Sequence, residues 1–307
     1  MLINLYTNEI LMRKFKDIIL FTHQRYLKNK DAASIINFLK KRDKKLTIIT
    51  HTSSGVINMN TGDSINLKNI KSGVQHNKQS IIIVFGGDGL FLSASKIAVQ
   101  LNIPILGINF GKIGFLVDID KRDAKNKIKE ILDGNYSNDE RMLLNTEVKD
   151  HSKQIYKNVC LNDIVVHNYG LIKMIKAKIY INDFLVNIQR SDGIIISSPT
   201  GSTAYSMSNG CPIVSPDSKV MCITPVSPHT YSNRPLIVDS NDMIVISVDK
   251  KSIKHTVATL DGSNYMHIKN PSEVIVKKST KKLNLIHPVD YNYFQTLNAK
   301  LKWGSRS

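Results

Sequence analysis

Cysteine is scarce in this chain. Only Cys160, Cys211 and Cys222 occur in 307 residues, an odd number, widely spaced and without a C-x-x-C pair. Neither a disulfide framework nor a zinc site is supported, and no structural metal is expected. The nine histidines are scattered, with no pair at metal-ligand spacing. No apolar run approaches the roughly 20 residues that cross a bilayer. The opening residues, Met1-Leu-Ile-Asn-Leu-Tyr-Thr-Asn-Glu9, place no basic region before an apolar stretch, so no secretory signal is read there. Low-complexity tracts are also absent. The expectation is a soluble cytoplasmic protein of one large or two ordinary domains, with 42% hydrophobic and 22% charged residues. Acidic residues are outnumbered, 25 against 42 Lys and Arg, which leaves a formal net charge of +17. That balance raises nucleic acid as a partner. The lysines are spread along the whole chain, however, with short clusters only at Lys40–Lys45 and Lys277–Lys282, and no Phe/Tyr/Gly RNA-binding signature accompanies them. A positive field suits a polyanionic nucleotide equally well. Neither nucleic acid nor a membrane is the expected partner.

The most distinctive stretch is Ser80-Ile-Ile-Ile-Val-Phe-Gly86-Gly-Asp-Gly89. A β-branched and aromatic run empties into three glycines around one carboxylate. Apolar residues at Leu90, Ala94, Ile97, Ala98 and Leu101 then follow at helical spacing. The pattern predicts a buried strand, a turn stripped of side chains, and a helix. Such a turn aims backbone N–H groups at one spot where phosphate oxygens bind, which makes Gly86, Gly87 and Gly89 candidate phosphate ligands. Asp88 does not suit a phosphate, so it is read as a group that orients a hydroxyl, accepts its proton or helps hold a metal ion. The competing reading is a plain tight turn, in which glycine supplies positive φ.

Around this stretch the chain alternates. Phe15–Thr22 and Leu46–Thr50 read as strands, with a helix capped by Asp31 between them that buries Ala32, Ile35, Ile36 and Leu39. Residues 1 to about 14 look like an extension, and His51 to Gln79 shows no pattern that places elements. Ile103–Ile108 reads as another strand running into Asn109-Phe-Gly-Lys-Ile-Gly-Phe-Leu-Val117. A helix with Ala124, Ile128, Ile131 and Leu132 on one face stops at Gly134. Strands alternating with helices predict an open parallel sheet with ligands beyond the carboxyl ends of its strands. From Arg141 the period changes to two, as in Ile175, Ala177, Ile179 and Ile181 before a hairpin turn at Asn182-Asp183. A mostly β domain of packed antiparallel sheets is expected over 141–280, after an α/β domain over 1–135. A tail over 281–307 ends in a helix through Phe294, Leu297 and Leu301 that packs back.

Two stretches of the β domain are candidates for binding. Leu161-Asn-Asp-Ile-Val-Val166 puts an amide and a carboxylate at the head of a strand, which an Asx turn also explains. Ser191-Asp-Gly-Ile-Ile-Ile-Ser-Ser-Pro-Thr-Gly-Ser-Thr-Ala-Tyr205 is a buried strand emptying into hydroxyl residues and one tyrosine. Ser202 or Thr203 as a helix cap accounts for part of it. Hydroxyls for polar edges beside an aromatic face suit a ring-and-ribose ligand, and their density exceeds what a cap needs.

The ordered set Gly86–Gly89, Gly107–Phe115, Asn162-Asp163, Ser197–Tyr205 and His229-Thr-Tyr-Ser-Asn-Arg-Pro235, with the ending Phe294–Gly304, resembles the bacterial NAD kinases. The first motif is shared with lipid kinases and 6-phosphofructokinases; the Thr-Gly-Ser-Thr-Ala-Tyr stretch is specific. The resemblance implies a Rossmann-like N-terminal domain, a β-sandwich, and NAD bound between them. It implies transfer of the γ-phosphoryl of ATP, with Mg²⁺, to the 2′-hydroxyl of the adenosine ribose of NAD, giving NADP. It also implies a homodimer or homotetramer whose NAD site can borrow residues from a neighbouring subunit. By motif position Asp88 would activate the hydroxyl, with Gly89 beside it. Asn162 and Asp163 would bind the ribose and base region. Phe115, Thr203, Ala204, Tyr205 and Ser208 would line the NAD pocket, and Asp192 would reach the nicotinamide end. Three positions depart from the family's usual residues: Leu90 for threonine, Asp163 for glutamate and Cys211 for glycine. The alternatives are a lipid kinase with the same glycine turn and a non-catalytic nucleotide or nucleic-acid binder.

Overall fold

The computed structural model describes residues 14–42, 46–52, 55–59, 64–65, 76–111, 114–149, 155–169, 173–249, 252, 255–268 and 273–302. The expected N-terminal extension lies outside these residues except for Lys14, as do Trp303 and Gly304 of the tail. The chain divides into two compact units, residues 1–140 with 283–307 and residues 141–282.

The first unit is built on a mostly parallel sheet. Its elements are β1 (Asp17–His23), α1 (Gln24–Leu27), α2 (Lys30–Arg42), β2 (Thr47–Thr52), β3 (Gly55–Asn58), β4 (Ser64–Ile65), β5 (Ser80–Gly86), α3 (Asp88–Leu101), β6 (Ile105–Asn109), β7 (Ile119–Asp120) and α4 (Ala124–Leu132). The strands pair in the order β6-β5-β1-β2-β3-β4, with β7 on β6. The β1–β2, β1–β5, β5–β6 and β6–β7 pairs are parallel. All seven residues of β5 are buried, because a central parallel strand covered on both faces needs a continuous apolar run. Ile18, Leu20, Ile83, Phe85, Leu106 and Ile108 from the sheet pack with Ile35 and Leu39 of α2 and Ile128 and Ile131 of α4. The stretch after His51, unplaced by pattern, contributes β3 and β4, which pair antiparallel from β2 outward.

One capping expectation is corrected. Asn29, not Asp31, caps α2: its Oδ1 accepts from the N–H groups of Asp31 at 2.9 Å and Ala32 at 3.2 Å. Asp31 sits inside the first turn, where a carboxylate also favours the helix, and it pairs with Lys121 at 2.7 Å.

The second unit is mostly antiparallel. Its elements are β8 (Ser137–Lys149), β9 (Ile155–Cys160), β10 (Asp163–Asn168), β11 (Ile175–Ile181), β12 (Phe184–Ser191), β13 (Gly193–Ser197), a 3₁₀ turn (Thr200–Thr203), α5 (Tyr205–Ser208), β14 (Val220–Val226), β15 (Leu236–Asp239), β16 (Ile244–Val248), β17 (Thr256–Leu260), β18 (Ser263–His267) and β19 (Glu273–His287). Strands β8 and β19 carry the chain across the division between the units. One sheet runs β15-β14-β13-β10-β17-β18, and β12-β11-β16-β19 form another. Ile164, Val166, Ile194, Ile196 and Ile223 of the first share one core with Ala177, Ile179, Ile244, Ile246 and Val276 of the second, which is the packing of a sandwich. Asn182 and Asp183, at φ 48° and 70°, turn the β11–β12 hairpin as the dipeptide suggests. The single-turn helix α5 follows the 3₁₀ turn inside this otherwise β unit.

The C-terminal helix α6 (Tyr293–Leu301) belongs to the first unit. Leu297 is buried, and Lys300 Nζ lies 5.4 Å from the ring centroid of Phe115. Among the described residues no helix is long and apolar enough to cross a membrane.

Candidate functional site

In the first unit, β5 ends at Gly86, Gly87 is the N-cap, and α3 begins at Asp88. None of Gly86, Gly87 and Gly89 has positive φ, so the backbone does not require glycine there. A β-carbon on Gly87 or Gly89 would meet nothing within 4 Å. The plain-turn reading loses its support. What the glycines leave is open space at the N-terminus of a 14-residue helix, where unpaired N–H groups and the helix dipole favour anions. A cavity of about 340 Å³ opens there, lined by His23, Arg25, Tyr26, His51, Gly87 and Gly89 among others. Leu90 lines the same cavity and also packs over the end of β5: a β-carbon on Gly86 would lie 2.7 Å from Leu90 Cδ2.

Asp88 is held by backbone. The Phe115 N–H donates to its Oδ2 at 2.9 Å and the Leu116 N–H to its Oδ1 at 3.1 Å. Gly114 lies directly beneath, where a β-carbon would sit 1.9 Å from Asp88 Oδ1. The second glycine-punctuated segment is thus a cradle for the carboxylate. Each oxygen keeps lone-pair capacity for a further donor. Phe115 is half-buried and Asp88 half-exposed.

In the second unit most of the hydroxyl run is engaged internally. Ser198 Oγ donates to the Leu161 carbonyl and accepts from the Gly201 N–H. Ser202 Oγ donates to the Pro199 carbonyl at 2.7 Å and accepts from the Val214 N–H at 2.9 Å. Thr203 Oγ1 donates to the Thr200 carbonyl at 3.1 Å. Neither Ser202 nor Thr203 caps α5; its N-cap is Ala204, with no side-chain bond. The capping expectation fails because both hydroxyls are closer to carbonyls of their own 3₁₀ turn. Thr203 and Ala204 are half-buried and Tyr205 and Ser208 exposed, and Met207, Asn209 and Gly210 reach the surface beside them. Asp192 is exposed, between β12 and β13.

Asn162 and Asp163 are fixed by a residue that sequence reasoning missed. Asp261 accepts from the N–H groups of Leu161 at 3.1 Å, Asn162 at 2.7 Å and Asp163 at 3.3 Å. It stands at φ 50° in the turn between β17 and β18, and Asp261-Gly262 between two alternating runs is the hairpin signal that could have located it. Asn162 Oδ1 is buried with no hydrogen-bond partner among the described residues, an acceptor available to a ligand donor. Asp163 is buried, opposite Ser197 in the β10–β13 ladder. Burial, reinforced by the Asp261 charge, pushes its carboxyl up from 3.8 to about 7. At the departure Cys211, the thiol accepts from Cys222, which brings Cys211 down to about 7 and pushes Cys222 up. Among the described residues no three His, Cys, Asp or Glu side chains gather as metal ligands.

Both halves of the chain match known families. Residues 11–136 match the ATP-NAD kinase N-terminal domain family and residues 161–288 the ATP-NAD kinase C-terminal domain family. An NAD kinase of Photorhabdus laumondii is 40% identical over 200 residues, 65% of this chain and 68% of that protein. One from Pseudomonas entomophila is 42% identical over the same shares. Among solved structures, yeast NADH kinase complexed with NADH superposes with a TM-score of 0.80 at 20% identity, covering 98% of this chain and 93% of that one. An NAD kinase from Archaeoglobus fulgidus in complex with ATP gives 0.70 at 19% identity, covering 93% and 98%. The two family matches, one per domain type, and the relatives at 40% identity or more establish that this chain belongs to the ATP-NAD kinase family of enzymes.

Proposed function

We propose that the chain transfers the γ-phosphoryl of ATP to the 2′-hydroxyl of the adenosine ribose of NAD, forming NADP, with Asp88 as general base. The observation that carries this reading is the Asp88 carboxylate, gripped by two backbone N–H groups beside two glycines that leave their surroundings open. Phosphoryl transfer demands positioning and charge neutralisation more than covalent work by the protein. The α3 N-terminus, Gly87 and Gly89 would receive phosphate oxygens, with Arg25 in the same cavity supplying positive charge. Asp88 would accept the ribose proton, a contribution of roughly 10²–10⁴-fold. Asn162, Asp163, Thr203, Ala204, Tyr205 and Ser208 would contact NAD, with Phe115 and Asp192 completing its surroundings. Asn162 Oδ1, an orphaned buried acceptor, supports a ligand donor there. Among the described residues no cage for a cation gathers; Mg²⁺ would accompany the triphosphate and supply charge neutralisation there.

A self-associating chain fits the surface. Strand β12 ends its sheet and exposes Phe184, Leu185, Val186 and Ile188, an edge that soluble proteins ordinarily cover. A homodimer or homotetramer would cover it.

Incubation with NAD, ATP and Mg²⁺ yields NADP. Asp88→Asn loses most of that rate, by roughly 10²–10⁴-fold, while still binding NAD in a titration. An Asp88→Asn protein as fast as wild type would sink the assignment of the base.

A further inference from the structure

The first unit holds a cluster of titratable groups around the fully buried His287 that this chemistry does not use. His287, at the end of β19, has Nδ1 2.8 Å from Asp118 Oδ2 and Nε2 3.4 Å from Asp139 Oδ2. Its ring lies flat on Tyr291, with centroids 3.6 Å apart and planes at 4°. A neutral imidazole carries one N–H donor and would set a lone pair against one of these carboxylates; the doubly protonated ring faces both with an N–H, hydrogen-bonded to Asp118 and at ion-pair distance from Asp139. Burial on its own pushes the imidazole down, but the two carboxylates, Asp118 first, outweigh it and leave the group raised above its ordinary value. Charged groups this deep are costly, and apolar residues of the same volume typically stabilise as well or better. Stability alone is therefore a poor reason for the trio.

Its position supplies a better one. Asp118 stands two residues beyond Leu116 and three beyond Phe115, the residues whose N–H groups grip Asp88. The same segment presses on β6 at Gly107, where a β-carbon would lie 2.9 Å from the Leu116 carbonyl oxygen and 2.5 Å from Val117 Cγ1. Gly107 supports the segment from below, and the Asp118–His287 bond fixes its far end.

We propose that His287 is a positioning residue for phosphoryl transfer: through Asp118 it fixes the 114–118 segment and so aims the two amides that orient Asp88. The proposal rests on the role given to Asp88 above. A displacement of about 1 Å at a reacting group costs on the order of 10²-fold, so small movements of this segment register in the rate.

The test is a double-mutant cycle on the full chain, read as NADP formation from NAD and Mg-ATP. His287→Gln lowers kcat by about 10–100-fold and leaves KM for both substrates within about twofold. In the Asp88→Asn background the same substitution changes the residual rate by less than about twofold, because Asp88 is the route through which it acts. Asp118→Asn, which keeps an acceptor for Nδ1–H, retains more kcat than Asp118→Ala. A folded His287→Gln protein with wild-type kcat overturns the proposal, and so do losses from His287→Gln and Asp88→Asn that multiply. If circular dichroism shows that His287→Gln does not fold, the Asp118 pair is run through the same cycle with the same criteria. A wild-type chain that forms no NADP, or an Asp88→Asn protein at full rate, overturns the functional reading first and this proposal with it.

Discussion

Gly114 in the first unit and Gly201 in the second both lack room for a β-carbon, but what fills the space differs. Above Gly114 it is a side chain, the Asp88 carboxylate, 1.9 Å from where the β-carbon would be. Above Gly201 it is backbone, with the Asn162 carbonyl oxygen, carbon and Cα at 2.1, 2.5 and 2.8 Å. The first crowding seats one functional group on a loop. The second joins two loops, 161–163 and 198–203, that are also tied by Ser198 to Leu161 and Asn162. A side chain can swing aside through its rotamers, whereas a packed backbone moves only with its neighbours. The same residue type therefore guards a reactive geometry in one place and the fold of a loop pair in the other.

Substitutions should separate the two. Gly201→Ala is expected to have the largest effect, destabilising the protein by about 3 kcal/mol or more because nothing beside it can yield; denaturant unfolding measures this, and a loss below about 1 kcal/mol would break the comparison. Gly114→Ala should leave the unfolding midpoint close to wild type while cutting NADP formation by on the order of 10²-fold, as Asp88 is driven from the Phe115 and Leu116 amides. Equal losses of rate and stability there would show that the 114–118 segment, not the carboxylate, gave way.

A further effect concerns Asp163 and depends on pH. Its carboxyl titrates near 7 in the fold against 3.8 as a free group. Between those values the folded state keeps a proton that the unfolded state has lost, so this group makes stability fall as pH rises from about 4 to about 7. Asp163→Asn removes the dependence. Its melting temperature should exceed that of wild type above pH 7 and converge on it near pH 4. A constant difference across that range would remove burial as the cause.

Much of the first unit was legible. Strands β1, β5 and β6 read as unbroken apolar runs because both faces of a parallel sheet are covered, and Asp88 stood out against glycine neighbours. The hydroxyl run 197–205 was also visible, but its division into structural and presented groups was not. Ser198, Ser202 and Thr203 look like Ser208 in sequence; the difference is that carbonyls and amides of Leu161, Pro199, Thr200, Gly201 and Val214 reach the first three. Asp261 escaped notice because its three donors lie about 100 positions away. His287 looked like one of nine scattered histidines, since Asp118 is 169 positions distant.

The sequence by itself determined the local pieces: a buried strand that must stop at Gly86, a helix that must begin with a carboxylate in its first turn, and hairpins where Asn-Asp and Asp-Gly allow positive φ. These follow from sterics and hydrogen bonding within a few residues of each other. Only the tertiary structure decided which polar groups are engaged and which are offered. That choice depends on the free energy of burying a donor or acceptor, and its sign turns on whether a partner from a distant part of the chain stands within about 3 Å. Asp88 owes its place to its own helix and its orientation to two amides from another segment.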